Sequence, residues 1–222
     1  MGETGCEGLI IMPKGSEELT NARKEEIINA CASLYETVSF KDITIRDIGA
    51  ETSFSRTSIY NYFQTKEEIF LALLQREHEA WAGDLDEIAR QPAPMSASQF
   101  AHALARTLER RARMLKLMSM NLYDMEVNSR LENLVEFKRA YAGALAALRR
   151  CLRRFFPSMG EAEIQSFLYT LFPFLFGVYP YTAITEKQAE AMALAGVELP
   201  HHTVSTLIQP LAETLLRPYV QQ

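Results

Sequence analysis

The chain has 222 residues, of which 48% are hydrophobic and 23% charged, and its formal net charge is −5. This composition is that of an ordinary globular protein, and it excludes a disordered chain. The negative charge by itself disfavours nucleic acid as a partner, but residues 20–64 hold five Lys and Arg against six Asp and Glu. A DNA-binding function is therefore not excluded by charge.

Two further features concern the cellular compartment in which the protein is expected. Three cysteines at wide, patternless spacing predict reduced thiols, and with no secretory signal they indicate a cytoplasmic protein. Residues 164–182 carry no formal charge and approach the length of a membrane span, but they contain Pro173, Gly177 and Pro180. We expect a helix buried inside the fold or between subunits, and no membrane partner.

The N-terminal third predicts a tail followed by four helices. Residues 1–18 are predicted to be mobile. An apolar stripe indicates a first helix from about Asn21 to Thr37, and the second helix, Thr44 to Glu51, begins at a Thr44–Asp47 capping box. Ser55 caps a third helix of about eight residues, and a capping box at Thr65 opens a fourth that ends near Arg90.

Longer helices are predicted beyond Pro94. A helix beginning at Ser96 or Ser98 runs to about Leu122. The others are a short piece at 124–128, a long helix over about 129–156, an aromatic helix from Glu161, a short helix at 189–194 and a last one at 203–219.

The second and third helices form a helix-turn-helix motif. Gly49 and Ala50 are small residues where the helices cross, and Phe54 is the apolar residue at the end of the turn. Arg56 to Ser58 then present short polar or basic side chains outward, as contact with DNA requires. The predicted core of the motif is Ile45, Ile48, Phe54, Ile59 and Phe63.

The run Phe54-Ser-Arg-Thr-Ser-Ile-Tyr-Asn-Tyr-Phe-Gln-Thr-Lys-Glu-Glu-Ile69 resembles the signature of the tetracycline-repressor (TetR) family of transcriptional regulators. Residues 23–35 and 44–48 are similar to the family's first helix and to the start of its second. Ser39 and Ser53 stand where the family often has glycine. We expect slightly altered turns there, because serine is disfavoured in the left-handed conformation.

The resemblance implies a role for each matching residue. Arg56 and Thr57 would read base edges in the major groove, where Tyr60 and Asn61 also face. Arg46 is either a further DNA contact or half of an ion pair with Asp42 or Asp47. The residues implied to bind phosphates are Thr44, Ser58, Tyr62 and Lys66, although Tyr62 could instead belong to the core.

The C-terminal two-thirds offer two weaker assignments. Flexible methionines and polar-tipped aromatics suit an adaptable ligand pocket and suit an ordinary core equally well. The candidate pocket residues are Met114, Met118, Phe137, Tyr141, Phe167 and Phe172. In the family, the aromatic helix and the last helix pack against their two-fold mates, and this implies a subunit interface at Phe174, Val178, Leu207, Leu211 and Leu215.

The sequence thus predicts an all-α protein with a mobile tail (1–18), a three-helix helix-turn-helix DNA-binding domain (19–66) and a helical effector-binding and dimerisation domain (67–222). We expect a homodimeric repressor of a palindromic double-stranded DNA operator, released by a small apolar or amphipathic effector. The alternatives are an activator, an effector-independent regulator, or a helical module that binds only protein. No catalytic or metal-binding motif is present, so no enzyme activity and no cofactor are expected.

Overall fold

The computed structural model describes residues 14–198 and 201–219, and over these ranges the chain is all-α, as predicted. The helices are α1 (Lys14–Thr37), α2 (Ile45–Ala50), α3 (Arg56–Ile59), α4 (Lys66–Ala89), α5 (Ala97–Glu109), α6 (Ala112–Val127), α7 (Leu131–Phe155), α8 (Glu161–Thr182), α9 (Glu186–Leu194), α10 (Val204–Leu216) and a short 3₁₀ helix (Arg217–Tyr219). The chain divides into two compact units, residues 1–69 and 70–222. Each unit is described by itself below.

In the first unit, α1 begins earlier than the sequence predicted. It starts at Lys14 rather than near Asn21, and Glu17 lies in its first turn, where a negative charge is favourable. Residues 14–18 of the predicted tail therefore belong to α1, and its remaining part, residues 1–13, lies outside the described residues. Of the predicted apolar stripe, Ile27 and Cys31 are fully buried, whereas Leu34 and Val38 are half-buried.

The start of α2 is confirmed in detail. Thr44 is the N-cap residue, and the Asp47 carboxylate accepts from the Thr44 backbone N–H (2.9 Å) and hydroxyl (2.6 Å). In return, the Asp47 N–H donates to the Thr44 hydroxyl (3.3 Å). These hydrogen bonds from Thr44 lower the pKa of the Asp47 carboxyl, and the nearby Arg46 charge adds to the effect. A six-residue helix thus has its first turn closed by its own side chains.

In the second unit, the helix predicted from Ser96 to Leu122 is in fact two helices. Ser96 caps α5 with a capping box, but α5 ends at Glu109 and α6 begins at Ala112. Neither glycine nor proline marks the break. Arg111 fixes it instead, because its guanidinium pairs with Asp84 at 2.8 Å and donates to the Ala80 carbonyl of α4.

The aromatic helix α8 has buried and exposed sides. Phe167, Leu171 and Leu175 are buried, whereas Tyr169 and Tyr181 are 72% and 67% exposed. Among the described residues, no single helix is long and apolar enough to cross a membrane. Helices α8 and α9 reach that length and composition only when taken together, and they are bent by 81° at their junction.

Candidate nucleic-acid interface

The crossing of α2 and α3 depends on Gly49. A Cβ atom at this position would lie 3.3 Å from the Cα and Cβ of Arg56 and from Cδ1 of Ile59. These distances are tighter than ordinary van der Waals contact, so α3 packs this close only because residue 49 has no side chain. The predicted core of the motif is confirmed for Ile48, Ile59 and Phe63, which are buried, whereas Ile45 and Phe54 are only half-buried.

The turn between α2 and α3 is tied to α1 by two residues that sequence reasoning missed. The carboxylate of Glu26 accepts a hydrogen bond from the backbone N–H of Ser53, and this bond is the main reason why its pKa is lowered. The guanidinium of Arg23 lies 5.2 Å from the centre of the Phe54 ring. Neither partnership has a local sequence signal, because the partners are about thirty positions apart in the chain.

The turns at Ser39 and Ser53, where we expect a slightly altered geometry, are not left-handed at these serines. No non-glycine residue in the described ranges has a positive φ angle. Both turns use conformations that serine adopts without strain. The departure from glycine at these positions therefore needs no compensating change in the motif.

Helix α3 is shorter than predicted. It spans four residues instead of about eight, and Ser55 occupies the N-cap position without a side-chain hydrogen bond to the backbone. After Ile59 the chain tightens, since Asn61 N–H bonds to the Ser58 carbonyl and Tyr62 N–H to the Ile59 carbonyl. These i to i−3 bonds are of the 3₁₀ type. Within this segment Arg56, Thr57, Tyr60 and Asn61 are exposed, whereas Ile59 is buried.

Six of the predicted DNA-contacting residues are exposed: Thr44, Arg46, Arg56, Thr57, Tyr60 and Asn61. Tyr60 exposes 51% of its surface, so it is not a core residue. An open groove of about 370 Å³ brings Arg46, Arg56 and Tyr60 together with Thr44. Within the described part of the chain, Arg56 makes no hydrogen bond or ion pair, so its guanidinium is available to an external acceptor.

The four residues predicted to bind phosphates are already engaged within the unit. The Thr44 hydroxyl bonds to Asp47, the Ser58 hydroxyl lies 3.0 Å from that of Ser55, and the half-buried Tyr62 packs beside Phe54. Lys66 points at the backbone: its Nζ donates to the carbonyls of Phe40 (2.7 Å) and Ile43 (3.1 Å). Of the four, Lys66 is the one whose polar group donates to more than one backbone carbonyl.

In the second unit, three of the predicted pocket residues form an aromatic cluster around a histidine. The rings of Phe137 and Tyr141 lie 5.6 and 5.8 Å from the ring of His78, and Phe172 lies 5.4 Å from Tyr141. Phe172 also contacts Trp81 at 5.8 Å. The other three predicted pocket residues, Met114, Met118 and Phe167, are buried.

His78 is the polar centre of this cluster, and no motif in the sequence singles it out. It is 1% exposed, and its Nδ1–H donates to the Leu74 carbonyl at 3.0 Å. Its Nε2 atom is buried and has no hydrogen-bond partner among the described residues. Burial lowers the pKa of His78 to about 4, so the ring is neutral at pH 7.

The predicted subunit interface is partly corrected. Val178 is 2% exposed, so it packs inside its own unit and cannot contact a second copy. Phe174 is 37% exposed, and Leu207, Leu211 and Leu215 are half-buried along α10. Periodicity alone could not assign Val178 to one side, because α8 is apolar around most of its circumference.

Two family profiles match the chain. The profile described as "Bacterial regulatory proteins, tetR family" matches residues 27–73, which include the helix-turn-helix. The profile described as "Tetracyclin repressor-like, C-terminal domain" matches residues 75–218. Together they account for most of the described residues of both units.

Individual relatives agree with these profiles. The "Uncharacterized HTH-type transcriptional regulator YfiR" of Bacillus subtilis (strain 168) is 30% identical over 77 residues, which span 35% of this chain and 38% of that protein. A TetR/AcrR family regulator from Thermobifida fusca has the same fold, with a TM-score of 0.59, 18% identity and coverage of 90% of this chain and 100% of that one. FadR from Bacillus subtilis, solved in complex with stearoyl-CoA, gives a TM-score of 0.58 at 15% identity over 86% and 96% of the two chains. The chain therefore belongs to the tetracycline-repressor family of DNA-binding transcriptional regulators.

Proposed function

We propose that this regulator is a homodimeric repressor that binds a palindromic operator and is released from it by a small apolar or amphipathic molecule. The observation that carries the DNA-binding part is the groove that joins Thr44, Arg46, Arg56 and Tyr60 in the first unit. It combines two exposed guanidinium groups with an exposed aromatic ring at the crossing of α2 and α3. Access to DNA places this function in the cytoplasm.

The chemistry of the groove suits a duplex. Arg56, at the start of α3, can donate two hydrogen bonds to O6 and N7 of guanine, and the Tyr60 ring can contact a thymine methyl group. Thr57 and Asn61 lie on the same exposed segment and complete the proposed base-reading set. Arg46, Thr44, Ser58 and Tyr62 are proposed to meet the phosphates, which fix the register of the helix.

The test is binding to DNA from the region upstream of the protein's own gene, measured by mobility shift at fixed salt. Arg56→Ala and Tyr60→Ala should each weaken specific binding by roughly 1–3 kcal/mol. Arg139→Ala is the matched control, because Arg139 is an exposed arginine of the second unit. Failure of the wild-type protein to bind any genomic fragment specifically would refute the proposal.

A dimer is needed to read a palindrome, with half-sites roughly 34–36 Å apart or a multiple of that distance. We propose that its interface lies on the exposed apolar parts of α8 and α10, around Phe174, Leu207, Leu211 and Leu215. The 25.2 kDa chain should therefore have twice that mass by light scattering at micromolar concentration. Phe174→Arg should yield a monomer, whereas Leu194→Arg, at a site 84% exposed on α9, should remain dimeric.

The effector part of the proposal is supported by two observations. The six candidate pocket residues are apolar or aromatic side chains of the second unit, and five of them are buried: Met114, Met118, Phe137, Phe167 and Phe172, with Tyr141 half-buried. The structural neighbour FadR was solved with stearoyl-CoA, a long-chain acyl thioester. We therefore propose an effector with an extended apolar part, and stearoyl-CoA is the first probe to test.

The effector acts by population shift. It must bind the DNA-incompetent state more tightly than the DNA-bound state, and an almost complete switch needs a preference of about 10⁴-fold. Stearoyl-CoA should lower the fraction of shifted DNA, while free coenzyme A at the same concentration should not. If no acyl thioester or other apolar compound changes DNA binding, the protein is an effector-independent regulator instead.

A further inference from the structure

Lys66, the first residue of α4, is bound to the turn between α1 and α2. Its ammonium group donates hydrogen bonds to the backbone carbonyls of Phe40 at 2.7 Å, Ile43 at 3.1 Å and Lys41 at 3.4 Å. It also lies 4.6 Å from the centre of the Phe40 ring. The Phe40 side chain is buried, with 7% of its surface exposed.

An ammonium group has three N–H donors, and here three carbonyl oxygens accept from them. The electron-rich face of the Phe40 ring meets the same charge. A phosphate oxygen would therefore have to replace a bond that Lys66 already makes within its own unit. By contrast, the guanidinium of Arg56 is exposed and makes no such bond among the described residues.

The turn that Lys66 holds leads directly into α2. Within the turn, the N–H groups of Asp42 and Ile43 bond to the Ser39 carbonyl, and the Ser39 hydroxyl donates to the Asp42 carboxylate at 2.5 Å. The next residue, Thr44, is the N-cap of α2. The position of Ile43 thus sets where α2 starts, and with it the place of Thr44 and Arg46 in the groove.

We propose that Lys66 is a positioning residue for DNA binding and not a phosphate ligand. It fastens the turn of residues 40–43 to the start of α4, and through that turn it aims the N-terminal end of α2. The loss of its side chain then weakens DNA binding without removing a contact to DNA. This inference rests on the DNA-binding part of the proposed function and not on the repressor, dimer or effector parts.

The first test separates the two roles by salt dependence. The probe is a 30-base-pair duplex that the wild-type protein selects from a random-sequence pool. Each lost phosphate contact lowers the slope of log K against log salt concentration by about 0.9. Lys66→Met should bind about tenfold more weakly at every salt concentration, with an unchanged slope. Arg46→Met removes one positive charge from a proposed phosphate contact and is the matched control, with a reduced slope.

The conservative variant Lys66→Arg gives a second discrimination. A phosphate contact tolerates arginine, because a guanidinium binds phosphate at least as well as an ammonium group does. Three carbonyls that converge on one point charge do not match a planar guanidinium, so Lys66→Arg should resemble Lys66→Met. Wild-type affinity in Lys66→Arg combined with a lowered slope in Lys66→Met would overturn the proposal.

A final measurement needs no DNA. Hydrogen exchange of the free full-length protein should be faster at the amides of Asp42, Ile43, Asp47 and Ile48 in Lys66→Met, and unchanged in the second unit. Unchanged exchange over residues 40–48 would show that Lys66 does not hold the turn. If the wild-type protein binds no DNA, the proposed function fails, but the exchange result still decides what Lys66 does.

Discussion

The two units differ in how their helices are held. The first exposes helices of six and four residues, α2 and α3, whereas the helices α5 to α10 of the second run from nine to 25 residues. Helices of one or two turns are not stable alone. The first unit fixes them with polar bonds to the backbone, from Asp47, Glu26 and Lys66. The second relies on an apolar and aromatic core around Trp81 and Phe172.

This difference suggests that the two units are sensitive to different kinds of substitution. A surface that reads DNA needs short, exposed helices at exact positions, and polar bonds supply positions with little buried area. A core that admits an effector needs apolar volume, and exact polar geometry matters less there. Core truncation should therefore cost the second unit most, while changes that remove a single polar bond or a close approach should act on DNA binding through the first.

The largest effect is expected from Phe172→Ala. Phe172 is 3% exposed and contacts the rings of Trp81 and Tyr141, so truncation leaves a cavity in the aromatic cluster. The free energy of unfolding should fall by about 3–5 kcal/mol in chemical denaturation followed by far-ultraviolet circular dichroism. Leu194→Ala, on the exposed side of α9, should change it by less than about 0.5 kcal/mol. A loss below 1 kcal/mol for Phe172→Ala would contradict the importance of this cluster.

Mild acid should destabilise the second unit through His78. The unfolded chain takes up a proton near the ordinary pKa of 6.5, whereas burial keeps the folded ring neutral down to about pH 4. The contribution is complete above pH 6.5 and decreases as the pH falls towards 4. Between pH 6.5 and 5 the free energy of unfolding should fall by about 2 kcal/mol. His78→Gln should lack this component, and an equal decline in both proteins would assign it to other groups.

Gly49→Ala tests the close approach of α2 and α3. The new methyl group would meet Arg56 and Ile59 at 3.3 Å, so the crossing must open. We expect a loss of about 1–2 kcal/mol in stability together with weaker DNA binding in the mobility-shift assay. Gly83→Ala is the matched control, since nothing lies within 4 Å of its Cβ position in α4. That change should stabilise the protein by up to about 1 kcal/mol, and equal effects at both glycines would contradict the tight crossing.

The smallest effect on stability is expected when either of two capping boxes is opened. Asp47→Ala opens the box at α2 and Gln99→Ala the box at α5, and each should lower the stability of its own helix start. Only Asp47→Ala should weaken DNA binding, because the capping box at α2 positions the proposed DNA-binding surface. Both can be followed by thermal unfolding and by titration with the same operator fragment. Equal loss of DNA binding in the two variants would remove the proposed distinction between the units.

Local signals in the sequence predicted much of this structure. The capping boxes at Thr44 and Ser96, the helix-turn-helix and the buried stripe of α1 depend on residues three or four positions apart, and the structure confirms them. The all-α fold was predicted from the helical pattern along the whole chain, and the family from the run of residues around the motif. The base and phosphate contacts of the individual residues remain predictions.

The features that were missed depend on distant partners. The break between α5 and α6 comes from an Arg111 pair with Asp84, and Lys66 acts on carbonyls more than twenty residues away. Burial of His78 and Val178 depends on which helices pack against them, and hydrophobic periodicity cannot show this for α8. These features depend on contacts between side chains and backbone groups that are far apart in the sequence, and the pattern of neighbouring residues does not indicate such contacts.

Trp81 gives the protein an optical label of its own. It is the chain's only tryptophan, it is fully buried, and its indole N–H donates to the Thr107 hydroxyl at 3.0 Å. The ring belongs to the second unit and contacts Phe172, a proposed pocket residue. Its fluorescence therefore reports on the second unit, and the first unit contains no tryptophan. Titration with a candidate effector can therefore be followed by tryptophan emission in unmodified protein, with selective excitation of Trp81 at wavelengths longer than those that tyrosine absorbs.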